Sequence, residues 1–242
     1  MKGKIGRTLV EAVMRSTKMR RSRIGEDAFE DELKALHHGL QFAPYHLSGD
    51  HISTRMELLR VAERYVDELN KVRKYACPLS TNMLLSSILE AVLLVLILEH
   101  SVQSAKTRIW IRAAEEAALG KRKYSKPEIP TLTLSDMIQI ADDLKLLRTS
   151  GVQQKVDLLL LRDLLPTSLR EHISTSSWDA KRNHEIMHNL RSVRNAVHPM
   201  EMISKDAGRD YDEFAVAIWM GLRVLLLLNT MLGIKSALQT GE

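Results

Sequence analysis

"MLLSSILEAVLLVLIL", residues 83–98, decides the fold class. It is apolar on nearly every side, and Glu90 is its one charge. A bilayer span needs roughly 20 apolar residues with few charges. Sixteen residues broken by a glutamate predict a buried core helix instead. A helix that is apolar all round belongs at the centre of a bundle. A second apolar stretch, 214–232, contains Arg223 and Asn229 and is likewise expected to be a core helix, so no membrane contact is expected.

The rest of the chain repeats the helical period. Helices are predicted within 4–19, over 26–40, and over 51–75 with Ile52, Met56, Leu59, Tyr65 and Leu69 in register. The stretch 41–50 is a loop broken by Pro44 and Gly49, and Pro78 closes the helix before it. Ser80 or Thr81 caps the apolar helix, which runs on to Leu119 before Gly120. A basic, proline-containing linker, "GKRKYSKPEIP" (120–130), follows. "TLTLSDMIQIADDLKLL" (131–147) is a cap and an amphipathic helix lined by Leu134, Ile138, Ala141 and Leu144 or Leu147. Further helices are predicted at 156–165, 179–198 and 211–232. No alternating strand or internal repeat stands out. The fold class is all-α, a helical bundle. A basic arm with N-terminal helices occupies 1–79, and the main bundle 80–242.

Composition narrows the setting. The 242 residues suffice for a proper core. Cys77 is the single cysteine, so no internal disulfide forms and a cysteine-based zinc site is not expected. A reducing, cytoplasmic setting follows. The net charge of +5 is uneven. Residues 1–25 hold eight lysines and arginines against Glu11 alone, which is +7, so the remainder carries −2. Such an arm attracts RNA, DNA or anionic lipid, or is a solvated terminus. No apolar run follows the first charges, so no signal peptide is expected.

The chemistry concentrates in "NHEIMHNLRSVRNAVHP" (183–199), which fits two patterns. His184-Glu185-Ile186-Met187-His188 matches HExxH, where two histidines one turn apart bind zinc and the glutamate acts as base. A zinc hydrolase needs a third protein ligand, and none stands downstream in a recognisable pattern. His198 is about 15 Å beyond His188 along a continuous helix. No metal or cofactor is therefore expected. The other pattern pairs arginine with histidine. Histidine moves protons near neutral pH, and arginine stabilises phosphoryl charge with a planar fork. Those are the groups needed for metal-independent RNA cleavage by attack of the 2′-OH on the adjacent phosphorus. At 100° per residue, with His184 at zero, His188, Arg191, Asn195 and His198 share an arc of about 80° with it. Ile186, Leu190, Val193 and Val197 lie opposite, at about 180–240°, and Arg194 flanks the polar arc at about 280°. The apolar stripe is expected to face the core and the polar face to look outward. Pro199 ends or kinks the helix at His198.

"LRSVRNAVHP", after "TLTLSDMIQIADDLKLL" and before a closing apolar helix, resembles the HEPN superfamily of helical ribonuclease and nucleotide-binding domains, across about residues 80–235. Its motif is an arginine, four to six residues, then a histidine, often with a polar residue after the arginine. The resemblance implies catalytic roles for Arg191 and His198, with Arg194 and Asn195 as supporting contacts. Ser192 follows Arg191 where Asn, Asp or His is usual, and only three residues separate Arg194 from His198. The resemblance also implies a homodimer whose two protomers build one composite site, with His184 and His188 near its groove. The expected function is a metal-independent endoribonuclease, a toxin or phage-defence effector with an RNA substrate and an antitoxin or regulatory partner. Two alternatives are a non-catalytic module that binds RNA, nucleotide or a protein, and a zinc hydrolase through HExxH. Trp110, Trp178 and Trp219 are expected to pack in the core or an interface, and His37-His38 to mark a helix end.

Overall fold

The computed structural model describes residues 23–72, 78–121, 128–147, 184, 187, 188, 190, 191 and 214–234. The expected helices within 4–19 and 156–165, the basic arm to residue 22, Trp178 and most of the linker lie outside them. The described residues form helices and turns with no strand, so the fold is all-α.

The helices are α1 (Arg23–Phe42), α2 (Ile52–Val72), α3 (Pro78–Glu99), α4 (Ser101–Ser104), α5 (Arg108–Ala118), α6 (Leu134–Asp143) and α7 (Phe214–Met231), with a 3-10 turn at Ala43–His46. α1 packs on α2, α2 on α3, α3 on α7, and α7 back on α1. These four close a bundle. α6 packs on another side of α3, and α5 on α6. α3 therefore has neighbours on three sides, which is why it can be apolar nearly all round. Leu85, Ile88, Leu89, Val92, Leu93, Ile97 and Leu98 are fully buried. By composition Ser80–Glu99 could cross a membrane, yet 67% of its apolar window is buried within the protein.

Chain direction follows from contacts between helix ends. Arg55, at the start of α2, reaches Glu99 at the end of α3 over 3.5 Å, so these two run antiparallel. α1 and α7 run parallel, because Phe29 lies against Gly221, Glu32 against Asn229 and Gly39 against Ile234. Gly221 lets α7 approach closely. A Cβ there would stand 2.7 Å from Cε2 of Phe29 and 3.1 Å from Cδ1 of Leu85.

Four details differ from the sequence expectation. Pro78 opens α3 rather than only closing α2, as suits a residue that lacks an N–H to donate in a first turn. The 41–50 loop is partly helical, since α1 continues to Phe42 and the 3-10 turn follows. The long helix to Leu119 is broken into α3, α4 and α5. Thr107 is extended (φ −73°, ψ 143°), and its Oγ1 accepts the Trp110 N–H to start α5 afresh. The buried Ser104 hydroxyl donates to the Ile97 carbonyl at 2.8 Å, which holds the turn against α3. On α2 the buried stripe is Arg55, Leu59, Ala62, Val66 and Leu69. Ile52 is exposed, and Met56 and Tyr65 are half-buried.

Other local signals behave as their chemistry predicts. Gly120, at φ +67°, ends α5, and Lys121 N–H donates to Glu116 O across the left-handed cap. Thr133 and Asp136 form a reciprocal capping box on α6. Asp136 also accepts from Arg112 of α5 at 3.1 Å. Leu134, Ile138, Ala141 and Leu147 are buried as expected.

One buried polar contact joins α1 to α7. Asn229 Nδ2 donates to the Glu32 carbonyl at 3.1 Å and to Glu32 Oε2 at 2.7 Å, and both residues are fully buried. Asn229→Ala removes both donations inside an apolar core. A loss of about 1–3 kcal/mol is expected in urea unfolding. A loss below a few tenths would show that the contact contributes little.

Candidate functional site

Five residues of the 179–198 segment are described. His184, Met187, His188, Leu190 and Arg191 are helical, in line with the expected helix. Met187 and Leu190 are fully buried and belong to the bundle core. His184, His188 and Arg191 are half-buried.

Leu190, in the expected apolar stripe, is buried as the wheel predicts, and Met187, outside that stripe, is buried as well. Met187 lies at about 300° on the wheel and Leu190 at about 240°, so among the described residues burial reaches beyond the expected arc of 180–240°. The physical reason is Met187, an apolar side chain outside the predicted stripe that anchors the helix to the core.

The two histidines touch. Their Nε2 atoms are 3.2 Å apart, one turn apart in sequence. The rings meet edge to face, with centroids 4.4 Å apart and planes at 71°. Partial burial pushes the His188 pKa below its ordinary value of 6.5, and nearby His184 and then Arg191 push the same way. All three causes disfavour the imidazolium. Arg191 is thus close enough for its charge to act on His188. Its Nε is buried and finds no hydrogen-bond acceptor among the described residues.

The His188 shift has a definite sign. A base with a depressed pKa in the fold is protonated first in the unfolded chain. Its stability contribution is present above 6.5 and is lost as pH falls from there through the folded pKa. In metal-free protein, an NMR titration of His188 is expected to have its midpoint below 6.5. Arg191→Gln should move it only part of the way back, because burial is the first cause. A midpoint at or above 6.5 would contradict this environment.

Of the predicted site residues, Arg191, His188 and His184 are brought together on one side of one helix. Arg194, Asn195 and His198 lie outside the described residues, as does Glu185 of HExxH. Among the described residues, no group of three or more His, Cys, Asp or Glu side chains could hold a metal ion. His37 sits inside α1 rather than at its end, with Nε2 3.1 Å from Asp67 Oδ1 and 3.9 Å from Glu63 Oε1 on α2. The His38 ring lies against that of Phe42, with centroids 4.5 Å apart and planes tilted by 44°. Trp110 is buried in the core.

Sequence reasoning passed over two polar residues on α3. Asn82 Oδ1 and Ser86 Oγ are buried with no hydrogen-bond partner among the described residues. Their signal was polarity at i and i+4 in an otherwise apolar helix. No protein-family model matches the chain, and no curated protein or solved structure matches it either.

Proposed function

We propose that the protein is a metal-independent endoribonuclease of HEPN type, acting in the cytoplasm as a toxin or phage-defence effector. The observation that carries this is the setting of Arg191. It is half-buried beside His184 and His188, and its Nε has no acceptor among the described residues. A guanidinium takes a phosphate through two parallel N–H donors of its planar fork, and the unpaired Nε is a candidate for one of them. His198, at the proline-terminated end of the same segment, is assigned the proton transfer.

The 2′-oxygen of the RNA attacks the adjacent phosphorus and the 5′-oxygen leaves. The products are a 2′,3′-cyclic phosphate and a 5′-hydroxyl. His198 takes the proton from the 2′-OH or gives one to the departing oxygen. Arg191 stabilises the charge on the phosphoryl oxygens. Arg194 and Asn195 are assigned to phosphate contact and orientation. A homodimer would place two such faces across one groove, and an antitoxin or regulatory protein would cover it.

The motif spacing favours a second reading, because Ser192 follows Arg191 and three residues separate Arg194 from His198. It is a non-catalytic helical module that binds RNA, a nucleotide or a protein. Labelled RNA incubated with pure protein in EDTA separates the two. Cleavage in EDTA that is lost in His198→Ala supports the nuclease. RNA binding without cleavage, in every oligomeric form, supports the module.

A further inference from the structure

The helix holds two imidazoles in a geometry that suits a third body between them. Bonds of about 2.0–2.1 Å to nitrogen put two ligand nitrogens about 3.3–3.4 Å apart on a tetrahedral ion and about 2.8–2.9 Å apart at adjacent corners of a square-planar one. The Nε2 atoms of His184 and His188 are 3.2 Å apart. Spacing of i and i+4 fixes both Cβ atoms on one side of a rigid turn, and buried Met187 and Leu190 fasten that turn to the core. Little reorganisation is needed for both nitrogens to meet one ion. The competing arrangement is a single proton shared between the rings.

We propose that His184 and His188 form a two-imidazole site for a late first-row transition ion, Cu²⁺ or Zn²⁺, with its other positions filled by water. Imidazole nitrogen suits these ions, whereas Mg²⁺ and Ca²⁺ take oxygen ligands. The described residues offer no third ligand, so the site binds an ion without the closed set of a structural zinc centre. Among the described residues it likewise lacks the three protein ligands of a zinc hydrolase. The Arg191 charge nearby opposes a second cation, which makes the site weaker than an isolated pair would be. The ion is not a cofactor of the proposed RNA cleavage, and its binding is measured without RNA.

The test is titration of the metal-stripped full-length protein with Cu²⁺ and Zn²⁺ by calorimetry, with electron paramagnetic resonance on the Cu²⁺ form. Seven other histidines are present, so His184→Gln, His188→Gln and a His37→Gln/His38→Gln control are titrated alongside. Melting in EDTA confirms that each variant is folded. The expected result is one saturable equivalent, Cu²⁺ tighter than Zn²⁺, and two nitrogen ligands in the resonance spectrum. Either single substitution should weaken binding about tenfold or more, and the control should leave it unchanged. Unchanged binding in folded His184→Gln and His188→Gln, no saturable binding by the wild type, or a single nitrogen ligand would each overturn the proposal.

Discussion

His198→Ala is expected to slow RNA cleavage about 10²–10⁴-fold, the usual contribution of a positioned acid or base. The measurement is single-turnover cleavage of labelled RNA in EDTA, with the melting temperature unchanged as the control. Arg191→Ala is expected to cost about 10²–10³-fold, as loss of one preorganised charge contact to the transition state does. Arg191→Lys should restore only part of the rate, because an ammonium cannot supply two parallel N–H donors to a phosphate. His184→Ala and His188→Ala should act more through KM than kcat, since in the proposed nuclease they would flank the groove without moving a proton. If His198→Ala cleaves like the wild type, the nuclease mechanism is wrong. If His184→Ala alone abolishes a cleavage that EDTA also abolishes, the zinc hydrolase replaces it.

Leu93→Ala is expected to lose about 2–5 kcal/mol of stability, because it opens a cavity at a fully buried position of α3. Against a total of about 5–15 kcal/mol for a typical domain, this brings the protein close to unfolding. Gly221→Val tests the opposite error. Its side chain would enter space held by Phe29 and Leu85, and overpacking costs about 1–3 kcal/mol. Urea unfolding should show lower midpoints for both at unchanged slope. A Leu93→Ala loss under 1 kcal/mol would mean that α3 is not the bundle's centre.

The residues differ in how far sequence alone could place them. Leu134, Ile138, Ala141 and Leu147 follow the helical period, so their burial on α6 was legible. On α2, Arg55 is 2% exposed and Ile52 is 39% exposed, the reverse of their hydropathy. Arg55 is buried because its guanidinium reaches the Ser48 carbonyl and Glu99, partners that no local pattern reveals. The break after Glu99 was hidden for a similar reason. It depends on Ser104 and Thr107 bonding to backbone groups, which both residue types also do elsewhere without ending a helix.

At the site, the shared face of His184, His188 and Arg191 follows from 3.6 residues per turn, so the sequence determined it. It also determined the all-α class and the buried central helix, because periodicity and apolar content are local properties of the chain. The tertiary structure decided how that face sits. Met187 and Leu190 dock into the core, and His184, His188 and Arg191 are left half-buried, with Arg191 Nε buried. Only packing against α-helices distant in sequence can set that rotation, since a helical wheel fixes angles between side chains but not the direction of the core.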